Sequence, residues 1–280
     1  MILENTDGIE NELGNGNCFL GELPQMINSK LIMNGSGNIL FCEAGVILKN
    51  SQITFNGNNA VIYLCKNKFE YYLDVTLYND SVLYMGHNNY MNGTLDLILS
   101  EQKHCFIGDN CLLSFGIWIR NADPHLVYDC NTNERKNLSK SVFIGDHVWI
   151  GQDGMLLKGS QIDSGSIIGA KSVVTGKKIP HNEAWGGNPC KRLEKDIFWQ
   201  EACVHRWCEK ETQNSLQFEN FAAKRNIAVD TYKFAFHPEE SISFTELDKK
   251  LSSKKKEELI QYLDHLSHTK QKNRFVHDII

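Results

Sequence analysis

Several functional classes are excluded by what this 280-residue chain lacks. Its formal charge of −5 at neutral pH leaves no basic surplus of the kind a general nucleic-acid binder carries. The apolar runs are short and interrupted by Asn, Asp or Lys, so no integral membrane segment is expected. The opening stretch MILENTDGIENELGNG has neither a basic leader nor an apolar core, and cytoplasmic residence is the expectation. The nine cysteines contain no C-x-x-C pair and follow no regular spacing. They read as reduced, mostly buried small hydrophobes, with Cys190 as packing and not a nucleophile. Cys203, His205 and Cys208 are of metal-ligating type but have no matching second pair, so no metal is expected.

What the chain does have is a period. An aliphatic residue stands at every sixth position from Ile144 through Ile150, Leu156, Ile162 and Ile168 to Val174. Small or modest residues follow four places on, at Val148, Gly154, Ser160, Ser166 and Ser172. Neither a helix nor an alternating strand has this spacing. A period of six predicts a coil of short strands that turns corners and stacks on the coil below, with the aliphatic residue inside. The small residue fits a crowded corner, where glycine or Asp163 takes the unusual backbone angle. A looser register has Phe41, Ile47 and Ile53 pointing inward, then blurs. It returns at Ile107, Leu113 and Ile119 and breaks over residues 120–143, a polar excursion too long for a compact repeat unless it has a task.

The expected fold is therefore mainly β: a coiled body over residues 1–193 with an extended loop at 120–143, then a mostly helical region over 194–280. EKDIFWQEACVHRWCEK, residues 194–210, predicts an amphipathic helix. Residues 244–268 predict one or two more, with Leu259, Leu263 and Leu266 on one face. Within the excursion, His125 stands two residues after Asp123. An imidazole with an ordinary pKa of about 6.5 suits proton removal near neutrality, and the alternative is one surface or capping histidine among ten. Asp123 either orients that ring or caps its own turn.

IGDHVWIG (144–151), SIIGAKSVVTGKKIP (166–180) and WGGNPCKRL (185–193) resemble the hexapeptide-repeat acyltransferases, and within them the O-acetyltransferases of sugars and surface polysaccharides, including sialic acid. The resemblance runs from about Ile107 to Leu193, is weaker over 35–106 and is absent from the helical region. It implies a left-handed parallel β-helix, a homotrimer with active sites between subunits, and acetyl-CoA as co-substrate. It places the catalytic base at His125, although the family often has proline after this histidine and here the order is Pro124-His125-Leu126. It places Trp149 beside the acetyl end of the co-substrate and Gln152, Ala170, Thr175, Gly176, Lys177 and Lys191 along its length, with Lys178 and Arg192 as further cations for the phosphates. The implied reaction is direct transfer of acetyl to a hydroxyl of a sugar or glycan. N-acetylation of an amino or nucleotide sugar, or a non-catalytic β-helix scaffold, are the alternatives. Tyr71, Tyr72, Tyr78, Tyr84, His87 and Tyr90 either stack on a sugar or pack the coil. The Lys254-Lys255-Lys256 run either attracts an anionic glycan or is a solvated helix start.

Overall fold

A computed structural model describes residues 1–227, 241–253, 255–269 and 273–278. Three sheets wind around one apolar core in about seven turns. The first face includes strands Lys30–Met33, Gln52–Phe55, Leu73–Leu77, Leu95–Leu99, Ile117–Arg120, Met155–Leu157 and Val173–Val174. The second includes Ile39–Cys42, Val61–Leu64, Val82–Met85, Cys105–Ile107, Val142–Ile144 and Gln161–Ile162. The third includes Tyr90–Met91, Leu112–Leu113, Trp149–Ile150, Ile167–Ile168 and Ala184–Gly186. Successive coils pair in parallel, so that one inward column on the first face runs Leu31, Ile53, Val75, Leu97, Ile119, Leu156, Val174.

The six-residue register from Ile144 to Val174 is fully buried, as are Val148, Ser160, Ser166 and Ser172. The corner serines are small for a reason beyond volume. Ser160 Oγ donates to Val174 O at 3.0 Å, Ser166 Oγ to Pro180 O at 2.7 Å and Ser172 Oγ to Gly169 O at 2.6 Å. Carbonyls left unpaired where the chain bends are satisfied in this way. The left-handed corner residues also recur every sixth place, at His147, Asp153, Gly159, Gly165 and Lys171. Asp163 is not among them, contrary to expectation. It is buried and accepts the His277 amide at 2.7 Å, so it ties the end of the chain to the coil.

The blurred early register has a simple cause. Paired positions are 22 residues apart from Leu31 to Ile119, but 18 apart from Leu156 to Val174. The surplus sits at one edge. From Asp96 on the first face to Phe106 on the second the chain takes ten residues, while from Met155 to Gln161 it takes six. The other two edges together take twelve, from Tyr84 to Asp96 and again from Phe143 to Met155. In an earlier coil, Phe41 to Gln52 is one residue shorter, and a single-residue slip reverses which side chains face inward. Phe41 and Ile47 are thus half-buried and turned away from the core, whose inward residues there are Leu40, Cys42, Leu48 and Ile53.

The carboxy-terminal region is not a detached tail. Residues 195–208 form no helix, contrary to the amphipathic reading; helix α1 begins at Glu209 and ends at Ser215, and α2 spans Phe218–Arg225. The apolar residues of that stretch serve separate contacts instead of one stripe, as Trp199 shows below. Helices α3 (Phe244–Leu251) and α4 (Lys256–His268) lie on the outside of the second face. There Phe41, Tyr63, Tyr84 and Phe106 form a ring ladder with centroids 4.1, 5.5 and 4.6 Å apart, capped edge-on by Phe275. Phe244, Leu247, Leu251, Leu259, Leu263 and Leu266 cover it. Tyr71 and Tyr84 therefore pack the protein, while Tyr78 and Tyr90 are exposed. Arg274 is completely buried and bridges Asp146 and Asp109, each at 2.9 Å. Lys255 pairs with Glu258, and Lys256 is tied to Gly37 O; Lys254 lies outside the described residues.

Candidate active site

The 120–143 loop is an enlargement of the edge that already carries surplus residues. Trp118 on the first face and Phe143 on the second are positions equivalent to Asp96 and Phe106, now 25 residues apart. Side-chain bonds set its shape. Asn121 is buried and exchanges bonds with Ser100, accepting its amide at 2.9 Å and donating to its carbonyl at 3.1 Å. Asn137 accepts the Val127 amide at 2.9 Å and donates to His125 O at 2.7 Å. Arg135 forks onto Glu101 at 2.7 and 2.8 Å, and together with Ser139 holds that carboxyl down to about 2.

His125 is exposed, and among the described residues its imidazole has no hydrogen-bond partner. Its position is fixed through its backbone carbonyl, which leaves both ring nitrogens available. Asp123 does not orient the ring. Its carboxylate is engaged by Lys158 and by Asn137 Nδ2, and Lys158 holds it below the usual carboxylate range. This pair closes the base of the loop against the next coil.

Lys158 also accepts the Gly176 amide through its carbonyl at 3.2 Å. The loop and the exposed Thr175-Gly176-Lys177 turn therefore share the edge between the first and second faces. Trp149 lies on the outer surface of the third face, between Leu112 below and Ile167 above, and is 39% exposed. Gln152 and Ala170 are exposed neighbours at the edge between the third and first faces, where Gln152 O accepts the Lys171 amide at 2.7 Å. The coils approach so closely there that a Cβ on Gly151 would come within 2.6 Å of the Ala170 nitrogen. Lys191 is exposed on Lys191–Glu194, which pairs antiparallel with Ala184–Gly186, and the neighbouring Cys190 amide bonds Val173 O at 3.1 Å. Cys190 is buried, as packing requires.

The eight site residues thus form two groups in one chain. His125, Thr175, Gly176 and Lys177 belong to one edge; Trp149, Gln152, Ala170 and Lys191 belong to the third face and the opposite edge of the first. Trp118 and Met155, register neighbours exposed on the outside of the first face, lie between the groups. Sequence reasoning missed Asn121 and Asn137, which look like ordinary loop asparagines, and Trp199, which stands in the stretch read as helix. Cys203, His205 and Cys208 are exposed and do not form a group able to hold a metal; among the described residues that arrangement occurs at Glu43, Cys65 and His87.

No family model matches the chain. A polysialic acid O-acetyltransferase of Neisseria meningitidis is 28% identical over 177 residues, which cover 63% of this chain and 82% of that protein. A galactoside O-acetyltransferase of Escherichia coli (strain K12) is 32% identical over 115 residues, 41% of this chain and 55% of that one. The crystal structure of a polysialic-acid-specific acetyltransferase superimposes with a TM-score of 0.61 at 24% identity, covering 75% of this chain and 94% of that one, a likeness of fold. The chain is a β-solenoid similar in sequence to polysialic acid and galactoside O-acetyltransferases and in fold to a polysialic-acid-specific acetyltransferase.

Proposed function

We propose that this protein is an acetyl-CoA-dependent O-acetyltransferase that acts on a hydroxyl of a sugar or surface glycan, with sialic-acid chains as the leading acceptor class. The observation that carries the reading is His125: an exposed, unencumbered imidazole on a loop fixed by Asn121, Asn137 and Arg135. A base held through its backbone, with no competing acid on its ring, is suited to take a proton from an arriving hydroxyl. The names of the homologues support the acyl chemistry and the glycan acceptor.

Acetyl-CoA supplies the thioester. The residues of this chain fit such a partner: Ala170 is small and exposed, and Lys177 and Lys191 are exposed cations for phosphates. The His125 imidazole accepts the acceptor's hydroxyl proton as its oxygen bonds the acetyl carbon, then returns that proton to the departing sulfur. Trp149 offers a ring face to the acyl end. The separation of His125 from Trp149 within one chain supports a homotrimer in which the loop of one subunit completes the site of the next. Nine free thiols support cytoplasmic residence.

The test is thiol release from acetyl-CoA with free, CMP-linked and polymeric sialic acids beside neutral and amino sugars. A blank without acceptor is needed because Cys130, Cys203 and Cys208 are exposed and react themselves. Acceptor-dependent release with a sialic-acid substrate is the expected result; no release with any sugar overturns the assignment, and release with amino sugars alone replaces it by N-acetylation.

A further inference from the structure

Glu43, Cys65 and His87 come from three successive coils and meet at the corner between the second and third faces. A carboxylate oxygen, the Cys65 sulfur and a His87 ring nitrogen all lie within 4.8 Å of one another. Glu43 Oε2 is 2.7 Å from His87 Nε2 and also accepts the Lys66 amide at 2.8 Å. Its other oxygen, Oε1, is buried and makes no hydrogen bond of ordinary geometry among the described residues, although the Ser267 hydroxyl and the Cys65 thiol approach the carboxylate. A buried carboxylate oxygen so weakly served has capacity for a cation. Cys65 is fully buried, with Sγ 3.4 Å from the Tyr84 hydroxyl.

We propose that Glu43, Cys65 and His87 bind a single zinc ion that cross-links three coils of the solenoid. A set of one sulfur, one nitrogen and one carboxylate oxygen matches the ligands zinc takes in tetrahedral sites. Bond lengths of about 2.3 Å to sulfur and about 2.0–2.1 Å to nitrogen and oxygen put neighbouring ligand atoms roughly 3.3–3.7 Å apart, so only small side-chain adjustments close the present group around an ion. Asp109 Oδ1 accepts the His87 amide at 2.8 Å and lies 3.8 Å from His87 Nδ1, so its charge favours a proton on that nitrogen while Nε2 faces Glu43. The side chains of His87 and Glu43 are 28% and 17% exposed, which gives an entry path and room for water as the fourth ligand.

Binding displaces the proton held between His87 Nε2 and Glu43 Oε2 and the proton of the Cys65 thiol, both to solvent; nothing is oxidised or reduced. Because binding releases these protons, occupancy rises with pH. The site is structural and independent of the acetyl-transfer reading.

The test is a Co²⁺ titration of the full chain after treatment with a chelator. Expected is a near-ultraviolet thiolate-to-cobalt band that saturates at one equivalent and is lost on adding Zn²⁺. Cys65→Ser should abolish the band, Glu43→Gln should weaken Co²⁺ binding at least about tenfold, and the exposed-thiol double variant Cys203→Ser/Cys208→Ser should retain it. If Cys65→Ser does not fold, His87→Gln, at a partly exposed side chain, must show the same loss. No band in the parent protein, or a band that survives Cys65→Ser or His87→Gln, overturns the proposal.

Discussion

Trp199 and His147 hold each other reciprocally: their rings stack at 3.9 Å and 4°, Trp199 Nε1 donates to His147 O at 2.8 Å, and His147 Nε2 lies 3.2 Å from Trp199 O. Trp199 in turn stands 6.1 Å from Trp149, and so backs one side of the indole assigned to the acyl end. Trp199→Ala removes that backing. The expected result is a several-fold higher KM for acetyl-CoA with a smaller change in kcat, and a stability loss of about 3–5 kcal/mol. Trp199→Phe, which keeps a ring but not the N–H donor, should recover most of the KM. Steady-state kinetics with varied acetyl-CoA decide; an unchanged KM separates Trp199 from the site.

His125→Ala removes the base without disturbing the frame, because the loop is anchored through the His125 carbonyl and not through the ring. A drop in kcat of about 10²–10⁴-fold is expected, with CoA affinity and melting temperature unchanged. Turnover equal to the parent's would eliminate the general-base role.

Arg274 is the buried link between the end of the chain and the solenoid. Burial opposes its charge, but Asp146 and Asp109 hold it ionised. Arg274→Met leaves those two carboxylates facing each other, for an expected loss of about 3–5 kcal/mol in denaturant unfolding. Arg274→Lys should recover less than half of it, since one ammonium cannot reproduce the fork onto both Asp146 oxygens.

His104 is buried beneath α3. Its Nδ1 accepts the Val82 amide at 3.2 Å, and its Nε2 meets Ser252 Oγ at 3.0 Å. Desolvation lowers its pKa from 6.5 to about 4. The unfolded chain therefore takes up a proton between those values that the folded chain refuses, and folding stability falls as pH drops from 6.5 towards 4. His104→Asn retains an acceptor for the Val82 amide but cannot titrate. Urea midpoints across that range should slope less for this variant than for the parent; identical slopes would remove His104 as the source.

The later coils were legible because their edges are six residues long and their inward positions all aliphatic. Phe41 and Ile47 were misplaced because one missing residue between Phe41 and Gln52 reverses the facing, and spacing alone does not reveal a slip. The alignment of Glu43, Cys65, His87 and Asp109 was present in the sequence as a repeated interval of 22. It has meaning only once that interval is known to be one coil. Trp199 was unreadable for another reason: its partner His147 is 52 residues away, and aromatic residues among charged ones imitate an amphipathic helix. The loop at 120–143 was legible because a strict repeat makes any departure conspicuous, whereas His125 within it was singled out by the family resemblance.

The surplus residues of the solenoid all fall at one edge, and this makes that edge its adjustable seam. From Tyr84 onward two edges together carry a fixed count that keeps neighbouring coils in step, whereas the third runs from five residues to 25 with the columns above and below still aligned. Length can be edited there without moving the core, which makes the seam the natural place to graft, shorten or exchange an acceptor-reading loop while the remainder of the scaffold stays as it is.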